Sequence, residues 1–558
     1  MERELPSVAF DMPLPDPPRL PQLRWPTRLR ATLLIAGIAV ASPSALSARP
    51  GRDTVSTSEV AARRTSPHQS RRTPRRRSRR SRHRRAAAPT PRWTTPRGSD
   101  ALRGDLATML NQRVHRGQWG VMVVSLTKGD TLYSYRPEAS LQPASNMKLF
   151  TTALALDQFG PNFQFSTDVL RDGTVGADGT LHGSLILRGD GDPALSKRFV
   201  AGGPGAAMDL LAQMVSTSGI KRVEGDLIAD ASAFDTTRVP QGWQRRYLAS
   251  AYAARVSALS LNENLVWVVV QPGATSHDAP SISLDPATDI RVVSQVRTVA
   301  GSRGARVGAH TRTDGAIEVR GWIGTRAGER RYELVVEDPT SFAAGAFRRA
   351  LTVRGVTITG PTRFAPRPIT SVRVASLPSP PLARMLDVMN GESINHYAEL
   401  LFRNAGRTAA RSQIGSVETA SHLLQQFMTE KVGAAPGDVI AADGSGLSTM
   451  DRVTPRALVK LLAYANRATW RDSFHASLPV AGESELLRQR MKSTPAQGNL
   501  HAKTGTTNTV ISLGGYVTAQ DGELIAFAFI YNGTDRSNAK STIDQMGATL
   551  ASFVRSEQ

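Results

Sequence analysis

No cysteine occurs in the 558 residues. That absence removes disulfide scaffolds, Cys-ligated zinc, iron–sulfur clusters and thiol nucleophiles together, so any chemistry must come from oxygen and nitrogen groups. Lysine is scarce, at nine residues, and aromatic residues are only 6%. HExxH, Walker A and GxSxG patterns are missing, which leaves zinc-protease, nucleotide-binding and α/β-hydrolase readings without anchors. Apart from one short run near the start, nothing approaches the roughly 20 apolar residues of a membrane-spanning helix. What is present is ordinary for a globular chain: 40% hydrophobic and 21% charged residues, a balance that excludes collagen-like and wholly disordered chains. The length allows three or four domains.

The net charge of +22 is unevenly spread, because residues 51–103 hold 16 arginines against 3 acids. Runs such as Arg71-Arg72-Thr73-Pro74-Arg75-Arg76-Arg77 lack interleaved aromatics and read as a solvated arm. We therefore expect a solvated linker over 51–100, with a dedicated polyanion-binding segment as the alternative; no specific nucleic acid is expected as partner, and peripheral association with a membrane or wall surface is compatible with its charge. Before it, Arg28 and Arg30 precede an apolar run from Ala31 to Ala41 and then Ala45-Leu46-Ser47-Ala48. This is a secretory signal pattern over 1–50, an uncleaved anchor being its alternative, and it places the protein in the periplasm or cell envelope.

The remainder reads as α+β. Alternation around Val121 and Val123, a turn at Lys128-Gly129-Asp130 and a second strand from Thr131 to Tyr135 predict a hairpin. Pro143-Ala144-Ser145 then opens a helix with apolar residues at helical spacing, stopping at Gly160. Short strands with turn signals dominate from 173 to 381, a β-rich insertion. Helical text returns from Leu382, and three strands and a last helix close the chain. The halves 101–172 and 382–558 are thus expected to form one body around the insertion at 173–381.

A serine hydroxyl becomes a nucleophile when a base takes its proton, and a lysine three residues on lies one helical turn along the same face. Four Ser-x-x-Lys matches occur, at Ser125, Ser145, Ser218 and Ser537, but only Ser145 opens a predicted helix, with Lys148 backed by apolar residues. Burial lowers a lysine's pKa and makes a base of it. Taken alone, Ser145 reads as a helix cap. Two further elements follow in order: Ser393-Ile394-Asn395, a hydroxyl and an amide, and Lys503-Thr504-Gly505 with Thr506 on a predicted strand, suited to a carboxylate. Gly189-Asp190-Gly191-Asp192 lacks the spacing of a calcium loop and reads as a turn, as does Asp443-Gly444-Ser445-Gly446.

The ordered triple Ser145-Asn146-Met147-Lys148, Ser393-Ile394-Asn395 and Lys503-Thr504-Gly505 resembles the three motifs shared by penicillin-binding proteins and serine β-lactamases. The long gap between the first two resembles the low-molecular-mass D-alanyl-D-alanine carboxypeptidase/endopeptidases of peptidase family S13. So do the runs Gly189–Pro193, Ser257–Asn264 and Asp443–Ser448. The resemblance spans about 105–555. Ile394 stands where that family often has Asp, and Ser484-Glu485 where Gly-Thr is expected.

The resemblance implies a penicillin-binding transpeptidase-like domain, an antiparallel sheet flanked by helices, split by the insertion. It implies an enzyme that cleaves the terminal D-Ala-D-Ala bond, or a cross-bridge, of peptidoglycan peptides through an acyl-enzyme, with β-lactams as covalent inhibitors and without metal or cofactor. Ser145 becomes the nucleophile, Lys148 its base, Ser393 the proton relay to the leaving amine and Asn395 the peptide holder. Lys503 supports the charge network, Thr504 and Thr506 meet the terminal carboxylate, and Gly505 allows close approach. A β-lactamase or esterase of the same fold is the alternative enzyme. The alternative of another class is a non-catalytic wall-binding or nucleic-acid-binding protein that uses the arginine tail.

Overall fold

The computed structural model describes residues 93–555 except 115 and 485. The expected signal region and most of the expected linker lie outside the described residues. The linker's last residues do not behave as one: Trp93 packs into a hydrophobic core, Thr94 N donates to Thr549 Oγ1 at 3.1 Å, and Arg97 pairs with Val554.

A five-stranded antiparallel sheet joins the two ends of the chain. Its order is His501–Thr506, Val510–Thr518, Leu524–Asn532, Gln118–Ser125 and Thr131–Tyr135. Gln118 pairs with Asn532 and Ser125 with Ile525, so the first hairpin completes a sheet begun by the last strands. Both faces are covered, which explains the dense apolar text of these strands. Side chains alternate between faces. Phe527, Phe529 and Tyr531 face the core they share with the helices Ser99–Arg113 and Arg536–Ala551. Ala526, Ala528 and Ile530 face the second core, with the helices Met147–Phe159 and Pro455–Ala465. The alanines let those helices approach closely.

Between the halves lies a β-rich segment with its own core. A seven-stranded sheet contains Ser166–Val175, Thr180–Arg188 and Val372–Pro378, and two three-stranded sheets accompany it. The division drawn at 172/173 falls inside the Ser166–Val175 strand, which pairs along its length with Thr180–Arg188 and so belongs to the inserted sheet. One of its helices, Pro339–Val353, starts on Asp338, whose carboxylate accepts from Ser341 N at 3.1 Å, with Pro339 at its first position. Among the described residues, no helix is long and apolar enough to cross a membrane.

Candidate active site

Ser145 lies in a tight turn, Ala144–Asn146, that leads directly into the helix starting at Met147. The turn is gripped from two sides. Ser512 Oγ donates to Pro143 O at 2.7 Å and also receives Asn146 Nδ2. A Cβ at Gly505 would lie 2.1 Å from Ser512 Oγ and 2.6 Å from Pro143 O, so only glycine lets this strand lie against the turn. From the other side Gly446, at φ +83, approaches so closely that a Cβ would come within 1.8 Å of Ala144 O.

Lys148 is fully buried one turn after Ser145. Its Nζ lies 3.2 Å from Ser145 Oγ, 2.6 Å from Asn395 Oδ1 and 2.7 Å from Ser445 O. The last two atoms can only accept. Asn395 is oriented by its own Nδ2, which donates to Tyr252 O at 2.8 Å. A neutral amine therefore spends both N–H bonds on Asn395 and Ser445 and turns its lone pair toward the Ser145 hydroxyl. Burial pushes the Lys148 pKa down to about 8, against the nearby Asp443, Glu399 and Asp451 carboxyls, which hold it up.

Ser393 caps the helix Leu382–Glu392 in left-handed backbone, φ 59 and ψ 45, and Asn395 opens the next helix, Asn395–Ala409. A non-glycine residue in that conformation costs on the order of 1–3 kcal/mol. It aims Ser393 Oγ at Lys503 Nζ, 2.9 Å away, while Lys503 Nζ also donates to Thr504 O at 3.0 Å. Lys503 is fully buried, and burial first, with the charge of Lys148 second, holds its amine well below the usual lysine range. Thr504 is half-buried and Thr506 exposed at the end of the sheet's edge strand. Thr507 N donates to Val510 O, so the alternating ladder turns the Thr506 N–H away from the neighbouring strand.

The structure thus brings Ser145, Lys148, Asn395, Ser393 and Lys503 into one cluster, with Thr504, Gly505 and Thr506 along its edge. It also contains residues that sequence reasoning missed. Asp443 collects N–H bonds from Ser445 at 3.0 Å, Gly446 at 2.6 Å, Ser448 at 2.7 Å and the Trp243 indole at 2.8 Å. That carboxylate shapes the loop presenting Ser445 O to Lys148. Glu399 Oε1 accepts from Gly444 N at 3.1 Å, and burial, with the Asp443 charge, pushes the Glu399 pKa up to about 8. For Asp443 the sequence carried two signals, the Asp-Gly-Ser-Gly turn and the family-like run Asp443–Ser448, and for Glu399 it carried none. Among the described residues, no group of three or more His, Asp or Glu side chains is placed to hold a metal ion.

The pattern of the D-Ala-D-Ala carboxypeptidase 3 (S13) family matches residues 102–553. A D-alanyl-D-alanine carboxypeptidase from Actinomadura sp. (strain R39) is 32% identical over 475 residues, covering 81% of this chain and 85% of that one. D-alanyl-D-alanine carboxypeptidase DacB from Haemophilus influenzae is 27% identical over 456 residues, covering 80% and 91%. The crystal structure of penicillin binding protein 4 from Haemophilus influenzae superposes with a TM-score of 0.68 at 24% identity, covering 80% of this chain and 98% of that one. The same protein complexed with a β-lactam gives 0.63. Sheet and helices are therefore those of the penicillin-binding fold, and the chain belongs to the D-Ala-D-Ala carboxypeptidase 3 (S13) family of serine peptidases.

Proposed function

We propose that this peptidase acts on peptidoglycan stem peptides as a serine D-Ala-D-Ala carboxypeptidase, with Ser145 as nucleophile and Lys148 as its base. One observation carries the assignment: Lys148 Nζ is buried against two obligate acceptors, so its neutral form has one lone pair left, facing Ser145 Oγ 3.2 Å away. Ser145 Oγ adds to the carbonyl of the penultimate D-Ala as its proton passes to Lys148. The oxyanion sits between the N–H groups of Ser145 and Thr506, and losing one such donor typically costs about 2.7–4 kcal/mol. The C–N bond then breaks. Ser393, hydrogen-bonded to Lys503, passes its proton to the departing D-Ala amine and takes up the one that Lys148 gained from Ser145, which leaves the acyl chain on Ser145 Oγ and the Lys148 amine neutral again. Water, deprotonated by Lys148, hydrolyses the ester, and that proton returns to Ser145 Oγ.

Asn395 holds the peptide amide, and Thr504 and Thr506 take the terminal carboxylate. A β-lactam enters as a carboxylate-bearing strained amide whose leaving amine stays tethered, and it acylates Ser145. We further propose that residues 1–50 export the chain to the cell envelope. The arginine-rich stretch would then act as a spacer on the membrane or wall surface.

The test is intact mass after incubation with a fluorescent penicillin, followed by peptide mapping. One label on Ser145, absent in Ser145→Ala, is expected. Label on another serine overturns the assignment, and rapid turnover of the antibiotic without a lasting adduct favours a β-lactamase.

A further inference from the structure

The Ser257–Asn264 run takes no part in the chemistry above, yet it has an unusual backbone. Asn262, Glu263 and Asn264 hold left-handed conformations in succession, φ 48, 53 and 58, and all three are buried. Such conformations persist in non-glycine residues only where the surroundings impose them, and they gather at functional sites.

The turn directs the Glu263 carboxylate at the segment carrying Ser393. Its Oε1 accepts from Tyr397 OH at 2.8 Å and from Ser196 Oγ, and Arg198 Nε lies 3.3 Å away. Arg198 also donates through Nη1 to Glu392 Oε2. Glu392 immediately precedes Ser393, and Tyr397 follows it by one helical turn. Two more inserted groups grip the same stretch: Tyr252 O accepts from Asn395 Nδ2 at 2.8 Å, and Asn264 Nδ2 lies 3.0 Å from His396 Nε2. Four of the six residues from 392 to 397 are therefore tied to the insertion. Ser393 itself sits at a left-handed break between two helices, where neither helix fixes it.

We propose that Arg198 and Glu263 are positioning residues: the inserted segment clamps Glu392 and Tyr397 and thereby keeps Ser393 Oγ against Lys503 Nζ. This rests on Ser393 being the proton-relaying hydroxyl. The insertion is then a working part of the active site, and the charge pairs at its inner edge act on chemistry without touching the peptide.

Stopped-flow labelling by a fluorescent penicillin separates the maximal acylation rate from the preceding dissociation constant. Arg198→Met and Glu392→Gln are each expected to lower that rate by about tenfold and to leave the dissociation constant within about twofold. Because both remove one linkage, the double variant should lose no more than either single. Glu263→Gln, which keeps an acceptor for Tyr397 and Ser196 but drops the charge facing Arg198, should match them. Circular dichroism checks folding, and Glu392→Gln, at an exposed position, supplies the folded variant should Arg198→Met unfold. Unchanged acylation, losses that multiply in the double variant, or a dissociation constant that rises in step with the rate would each overturn the proposal. A wild-type chain that takes no label on Ser145 defeats the functional reading instead, and is recognisable before any variant is made.

Discussion

Lys503 Nζ meets Ser393 Oγ at 2.9 Å across 110 residues of chain. The lysine is pinned by strand pairing and the serine stands at a left-handed break between two helices, so the contact exists only in the folded chain. Two substitutions separate the chemistry of Ser393 from its backbone. Ser393→Ala removes the proton relay and should lower kcat roughly 10²–10⁴-fold, the range typical of general acid–base catalysis. Ser393→Gly should be as slow but more stable than the alanine variant by about 1 kcal/mol, since glycine accepts φ 59 without strain. Peptide hydrolysis and urea unfolding measure the two effects. Alanine and glycine variants of equal stability would mean that the break is unstrained.

The pH dependence follows from Lys148. Its pKa of about 8 lies below the ordinary lysine value, so the neutral amine becomes abundant at a lower pH than on a solvated lysine. Below that pKa its neutral fraction falls tenfold per unit. Acylation by a fluorescent penicillin should therefore rise nearly tenfold between pH 6 and 7 and level off above about 8. Lys148→Arg, permanently charged, should give a flat profile near background. A wild-type rate independent of pH across this range would remove Lys148 as the base.

Much of this geometry was legible in sequence because it is local. The Ser145–Lys148 spacing, the hairpin ending at Tyr135 and the last three strands are short-range patterns, and the structure has a helix and strands there. Apolar spacing alone would run a helix from Ser393 to Phe402, whereas the helix begins at Asn395. The left-handed turn at Ser393 is imposed by neighbours distant in sequence. The same holds for Asp443-Gly444-Ser445-Gly446. A turn was foreseeable, but not that its Ser445 carbonyl receives Lys148 across 297 residues. The inserted strand Ser166–Val175 was divided in sequence at 172 because its pairing partners decide where it belongs.

Gly446 offers a steric test of that loop. Its φ of +83 disfavours any side chain, and a Cβ would lie 1.8 Å from Ala144 O and 3.0 Å from Ser145 N. The obstructing atoms are backbone, so no rotamer change relieves the clash. Gly446→Ala should cost about 2–4 kcal/mol of stability, combining left-handed strain with overpacking. Because the displaced atoms belong to the Ser145 turn, acylation should fall further than the folded fraction does. Measuring both on the same sample decides it, and a stable, fully active alanine variant would mean that the loop can withdraw without disturbing Ser145.

His396 ties the inserted run to the helix that starts at Asn395, and its protonation state can be deduced. Leu261 N donates to Asn264 Oδ1, so Asn264 presents its Nδ2 to His396 Nε2, 3.0 Å away. Nε2 either accepts from that amide or donates to Ser260 Oγ, 3.3 Å away, whose own hydrogen goes to Ser257 O; no carboxylate among the described residues bonds the ring, so nothing there favours an imidazolium. Burial pushes the His396 pKa down to about 3. In the unfolded chain the imidazole titrates near 6.5. Stability from this group is therefore full above about pH 6.5 and is lost as pH falls toward 3, because the unfolded chain gains a proton that the fold refuses. The slope approaches about 1.4 kcal/mol per pH unit. His396→Gln, which cannot titrate, should narrow its stability gap to wild type by about 1.4 kcal/mol between pH 7.5 and 5.5 in urea unfolding. Parallel stability curves would mean that the fold accepts an imidazolium there. Convergence would mean that the packed seam between the insertion and the Asn395 helix holds the ring neutral, and that mild acid acts by favouring the unfolded chain.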